Sequence, residues 1–197
     1  MATRKEPITG TSEFPNIHEA AVSVLLPPAA RADAPSGPAA MTVEPLPSRR
    51  LAEPFERLRD ASDAHLARTG QRPKVFLANL GPIAAFTARA TFAKNFFEAA
   101  GIEAVTNDGF SDMDKLRQAF LESNAKLSCI CSSDEIYETH AVDAAKTLRE
   151  AGSAPIYLAG RPGDREEQLT GAGITTFIFA GCDTLKVLGE ALDKACA

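Results

Sequence analysis

From residue 74 onward, short apolar runs alternate without a break with longer amphipathic stretches. The apolar runs cover 74–80 (KVFLANL), 102–106, 127–131 (LSCIC), 155–159 (PIYLA) and 174–179. The stretches between and after them, at 84–100, 112–124, 134–151, 164–169 and 184–195, read as helices. Met113, Leu116, Ala119 and Phe120, for example, recur at the three- and four-residue steps of a helix with one buried face. Strands that are apolar along their whole length are covered by helices on both faces. Right-handed crossovers between such strands give a parallel sheet with a switch point. The pattern therefore predicts an α/β fold: a doubly wound, five-stranded parallel sheet of the flavodoxin-like kind, order 2-1-3-4-5. Its ligand crevice lies at the carboxyl ends of the strands, near 79–82, 132–134, 160–163 and 180–183.

Upstream the character changes. Residues 1–47 include LLPPAARADAPSGPAAMTVEPLP, rich in Pro and Ala and without a helical or strand period. Proline fixes the chain locally in extended form and removes backbone donors. This stretch reads as a linker, or as a strap over another surface. Residues 48–71 read as a linker helix with a stripe of Leu51, Phe55, Leu58, Ala61 and Leu66, a start capped by Ser48 and an end at Gly70. The stripe has two available partners, the following domain or another chain. Residues 72–197 form the α/β domain.

Bulk properties exclude several classes. From Arg72 onward there are 13 Lys and Arg against 17 Asp and Glu, an excess of acid that disfavours a nucleic-acid partner. No run of about 18 apolar residues exists, so no membrane span is expected. The N-terminus lacks a secretory pattern, and Glu6 and Glu13 count against a transit peptide; the expected location is cytoplasmic. Cys129, Cys131, Cys182 and Cys196 form no Cys-x-x-Cys pair and do not cluster with His18, His65 or His140. No metal site is expected. Cys129 and Cys131 read as reduced core thiols on one face of a strand.

The crevice loops carry little chemistry. LANLGPIAAF holds a single glycine, Gly81, where a dinucleotide site would place Gly-x-Gly-x-x-Gly, and Pro82 removes a donor. A phosphoacceptor domain would need acidic residues at the end of the first strand, and they are absent, so Asp134 reads as a helix cap. Ser132 and Ser133 directly follow the third strand. They serve equally as ligand-binding hydroxyls or as the start of the next helix. Gly160 and Gly181 end strands, and turn geometry alone explains both. Tyr137 and Tyr157 are isolated aromatics with no evident role. No catalytic set is visible.

The run RPKVFLANLGPIAAFTARATFAKNFFEAAGIEAV resembles the cobalamin-binding domain of methylmalonyl-CoA mutase, above all the version in the smaller subunit of the bacterial heterodimer. The likeness covers residues 72–197, and SRRLAEPFERLRDASD resembles the segment preceding that domain. RKEPITGTSEFPNI resembles a stretch late in the family's acyl-CoA-binding TIM barrel, which implies that 1–47 include the tail of a truncated barrel. Cobalamin-binding members carry Asp-x-His-x-x-Gly in the first loop. Its histidine ligates cobalt, and its aspartate holds that histidine. Here Ile83, Ala85 and Ala88 stand at those three positions. Ser132 matches a family serine near the nucleotide tail. Gly160 and Gly181 match glycines that leave room for the tail, while Ala159 replaces a usual glycine.

The resemblance implies a degenerate, cobalamin-binding-type domain without catalytic or metal residues of its own. It implies a non-catalytic small subunit, or a C-terminal fragment of one. The complex would interconvert methylmalonyl-CoA and succinyl-CoA by an adenosylcobalamin-dependent radical rearrangement. Adenosylcobalamin would sit on the large, catalytic subunit, which is the expected partner, with no cofactor on this chain. Ser132, Ser133, Gly160 and Gly181 would be vestiges of the cofactor pocket. The alternative is a cobalamin-binding module that holds the cofactor without a protein ligand to cobalt.

Overall fold

The computed structural model describes residues 2–20 and 49–197. Five strands, β1 (Lys74–Asn79), β2 (Glu103–Val105), β3 (Leu127–Cys131), β4 (Ile156–Ala159) and β5 (Ile174–Ile178), form one sheet in the order β2-β1-β3-β4-β5. Every pairing is parallel. The helices are α1 (Glu53–Thr69), α2 (Ile83–Glu98), α3 (Met113–Ser123), α4 (Asp134–Glu150), α5 (Glu166–Ala172) and α6 (Thr184–Cys196). The chain is the α/β, doubly wound fold that the alternating pattern predicts.

Pleating sends alternate strand residues into two cores. Val75, Leu77, Cys129, Cys131, Tyr157 and Ala159 pack with α1, α2 and α6. Phe76, Ala78, Ile130, Ile156 and Leu158 pack with α3, α4 and α5. The central strands β1, β3 and β4 are buried almost throughout, whereas the edge strand β5 exposes its middle. Strand apolarity thus holds for the centre of the sheet, and one side of β5 is open.

Local rules set the helix ends. Asp112 caps α3 by accepting from the backbone N–H of Asp114 and Lys115, which satisfies otherwise orphaned donors. Ser133 caps α4, accepting from Ile136 N–H. Asp134 is therefore the first residue of the helix and not its cap. The expected short helix at 164–169 becomes a 3-10 turn at Gly163–Arg165 followed by α5, which continues through Gly171.

The linker helix differs from its expected stripe. It begins at Glu53, after Ala52, with a proline in its first turn. Ser48, the expected cap, lies outside the described residues. Leu51 precedes the helix and is exposed, and Ala61 faces solvent. The buried residues are Phe55, in the α2/α6 core, and Ser62, whose hydroxyl donates to Gly101 O at 2.7 Å. Gly70 ends the helix in the left-handed conformation. The helix packs on the α/β domain itself. Arg72 adds contacts to Asp63 (2.7 Å) and to Ser62 (3.1 Å).

Residues 2–20 lie against this same side. Ala2 O accepts from Thr184 N–H, the first residue of α6 (2.7 Å). Arg59 of α1 donates to Gly10 O and Thr11 O, each at 3.0 Å.

Candidate functional site

The carboxyl edge of the sheet is where ligands enter this fold, and its loops are built from few polar groups. β1 ends at Asn79, Gly81 turns the chain with positive φ, and α2 starts at Ile83. Phe110 N–H donates to Asn79 O, and Gly81 N–H to Phe110 O, so this loop is tied to the one after β2. Gly109 is required there. A Cβ on it would lie 2.5 Å from Gly81 O and 2.6 Å from the Phe86 ring, and its φ is +97°.

The three first-loop positions present no ligating atom. Ile83 is 62 % exposed, Ala88 is exposed and Ala85 is half-buried. Among the described residues, no cluster of three or more His, Cys, Asp or Glu side chains is placed to hold a metal ion.

Ser132 is fully buried. Its hydroxyl donates to Leu80 O at 2.7 Å, and its N–H donates to the Tyr137 hydroxyl at 2.9 Å. The hydroxyl therefore ties β3 to the end of β1. Ser133 is spent on the α4 cap. Tyr137, which the sequence marked as an isolated aromatic, is a hub. Besides accepting from Ser132, its hydroxyl lies 3.0 Å from Ile130 O and 2.9 Å from Ala159 O, the acceptors for its single proton. Burial holds its pKa well above the usual phenol range, with the nearby Cys131 and Cys129 thiols adding to the shift.

The unanticipated side chain is Arg89. It leaves α2 one turn after Ala85, on the same helix face, and reaches over the sheet edge to the opposite layer. Its Nη1 donates to Ser132 O at 2.8 Å and its Nη2 to Asp134 Oδ1 at 2.6 Å. Its guanidinium carbon stands 4.8 Å from the centre of the Tyr137 ring. Burial opposes its charge, but the hydrogen bond to Asp134 and the contact with Tyr137 outweigh that effect and leave the pKa raised. The signal for Arg89 in the sequence was only its i+4 spacing from Ala85, because its acceptor on Ser132 is a backbone carbonyl of a distant strand.

Gly160 and Gly181 sit in different surroundings. Gly160 has φ +151°, and a Cβ there would lie 3.4 Å from the Arg89 guanidinium carbon. Gly181 has φ +100° and open space where its Cβ would be. Three cavities follow this edge. One of about 510 Å³ lies between α4 and the loop after β4, lined by Arg89, Tyr137, Leu158 and Arg161 among others. A second, of about 190 Å³, is lined by Arg89, Phe92, Gly160 and Phe179. A third, of about 350 Å³, lies beside Gly181 between Phe92, Phe179 and the N-terminal residues Arg4 and Lys5.

At this edge the Ser132 and Ser133 hydroxyls are engaged within the chain, the first loop presents only apolar side chains at 83, 85 and 88, and the cavity beside Arg89 also carries the carboxylates Asp134, Glu138 and Asp164. The chain is 45% identical over 194 residues, 98% of its length, to the methylmalonyl-CoA mutase small subunit of Streptomyces virginiae. The chain is a homologue of methylmalonyl-CoA mutase small subunits. It is 39% identical over 81% of its length to the probable methylmalonyl-CoA mutase small subunit of Mycobacterium tuberculosis (strain H37Rv). It is 33% identical over 98% of its length to that of Propionibacterium freudenreichii subsp. shermanii. No family model matches the chain. It spans 29%, 23% and 28% of the lengths of these three small subunits. At 98% of the chain, the likeness takes in the N-terminal segment that rests on α1 and α6 as well as the sheet.

Proposed function

We propose that this chain acts as a non-catalytic segment of the small subunit of an adenosylcobalamin-dependent methylmalonyl-CoA mutase. It would dock onto a large subunit that carries the cofactor and performs the radical interconversion of methylmalonyl-CoA and succinyl-CoA. The observation that carries this reading is a sheet edge without a cobalt ligand in a chain homologous to mutase small subunits along nearly all its length. In this reading Ser132, Ser133, Gly160 and Gly181 are vestiges of a corrinoid pocket.

The residues present do not fit cobalamin. Ala85 has no lone pair to offer cobalt, and Ile83 has none to orient a ligand. The Ser132 hydroxyl is engaged by Leu80 O, and the Arg89 guanidinium carbon borders the space beside Gly160, 3.4 Å from where a Cβ would be. The Ser132 and Arg89 contacts also weigh against a module that holds cobalamin without a protein ligand. We assign this chain no step of the reaction.

The test is co-expression of the chain with a large mutase subunit, followed by affinity capture of the chain. Recovery of both polypeptides in a fixed ratio supports the proposal. Recovery of the chain alone, from cells in which a full-length small subunit captures the large one, contradicts it.

A further inference from the structure

We infer that Arg89 is an internal occupant of the switch-point crevice, closing it to the flat aromatic base of a nucleotide-type ligand. The inference rests on the proposed descent from a corrinoid pocket and adds a second obstacle beside the missing cobalt ligand.

The cavities carry the argument. The 510 Å³ space on the α4 side and the 190 Å³ space on the α2 side share a single lining residue, Arg89. The smaller space in turn shares Phe92, Phe179 and Ala180 with the 350 Å³ space beside Gly181. The three therefore form one row along the carboxyl ends of β4 and β5, and the Arg89 side chain is the partition between the first and the second. Phe92 and Phe179 are the aromatic walls on one side of that partition, with one face of the Phe179 ring covered by the Arg161 guanidinium, 4.2 Å from the ring centre, and the other face left for a planar base.

The partition is also firmly held. Two hydrogen bonds, to Ser132 O and Asp134, and the Tyr137 ring fix the guanidinium, whose planar fork suits such combined bonding and stacking. The small residue at 160 lets the guanidinium come close on one side, 3.4 Å from where a Cβ would be, while the 190 Å³ space remains on the other. A histidine placed at residue 85 would stand one helical turn from this cation on the same face. Restoring the first-loop triad alone would therefore rebuild a cobalt ligand above a blocked slot.

The test uses the full chain and two probes. The first is free 5,6-dimethylbenzimidazole, titrated by ligand-observed NMR against wild type, Arg89→Ala and Arg89→Gln. The glutamine amide can still donate to Ser132 O but is too short to border the space beside Gly160, so it serves if the alanine variant fails to fold. At least tenfold tighter binding by the folded variant than by wild type is expected. Equal binding by both, or binding by neither, overturns the inference.

The second probe is aquacobalamin against its tail-less analogue cobinamide, in the Ile83→Asp/Ala85→His/Ala88→Gly background with and without Arg89→Ala. Removing Arg89 should raise affinity for cobalamin at least tenfold and leave cobinamide unchanged. No change for cobalamin, or equal change for both, contradicts the inference. Neither probe involves the large subunit, so failure here is distinct from failure of the docking proposal.

Discussion

At the scale of single residues, the sheet edge is held by groups that a ligand site would have left free. Tyr137→Phe strands the buried Ser132 N–H, and an unmatched buried donor costs about 1–3 kcal/mol. Chemical denaturation should show that loss with an unchanged denaturant slope. Arg89→Ala removes a hydrogen bond from a charged donor together with a ring contact, and the exposed carboxylate of Asp134 adds little. A loss of about 2 kcal/mol is expected, measured in the same way. These two residues were the part of the site least legible in the sequence. Ile83, Ala85 and Ala88 could be read as missing ligands because they are local to one loop. The roles of Tyr137 and Arg89 depend on backbone carbonyls of Ile130, Ser132 and Ala159, which are brought together only by the sheet, and a carbonyl leaves no mark in the residue type.

At the scale of elements, the strands and most helices were legible because period and boundary signals agreed. β3 runs from Leu127 to Cys131 as the apolar run does, and α3 starts behind Asp112 as capping chemistry requires. α1 was misread in detail. Leu51 looked like part of a stripe but precedes the helix, and beside Phe55 the other buried residue is a polar one, Ser62, whose hydroxyl Gly101 O accepts. Two substitutions separate ordinary capping from obligatory geometry. Asp112→Ala should cost about 1 kcal/mol, the usual value of an N-cap. Gly109→Ala should cost more than about 2 kcal/mol, since it combines a left-handed backbone with a Cβ driven against Gly81 O and Phe86. Thermal melts of both variants beside wild type check the order; a smaller loss for Gly109→Ala would refute the geometry of that loop.

At the scale of the whole molecule, burial of ionisable groups sets the alkaline limit of stability. Burial raises the pKa of Cys129, Tyr137 and Tyr157 in the folded chain. The unfolded chain ionises its thiols near roughly 8.5 and its phenols near roughly 10, while the folded chain keeps these protons. Their contribution is therefore complete below about pH 8.5 and declines as pH rises past each unfolded value. Urea midpoints should fall between pH 8 and pH 11, with the steeper part above about 10 reduced in Tyr157→Phe. A thiol reagent at pH 8 should modify Cys182 and Cys196, which are partly accessible, and leave the buried Cys129 and Cys131 until the chain unfolds. No helix among the described residues is long and apolar enough to cross a membrane.

The proposed role joins these scales: a doubly wound sheet, a sheet edge without a cobalt ligand and partitioned by Arg89, and a cofactor left to another chain. Size-exclusion chromatography of the chain mixed with a cobalamin-loaded large mutase subunit, monitored at visible wavelengths, tests it most directly. The account predicts a peak containing both polypeptides with all of the corrinoid on the large subunit, and no colour on the chain when it is run with cobalamin alone. A chain that elutes apart from the large subunit, or that carries the corrinoid by itself, would contradict it.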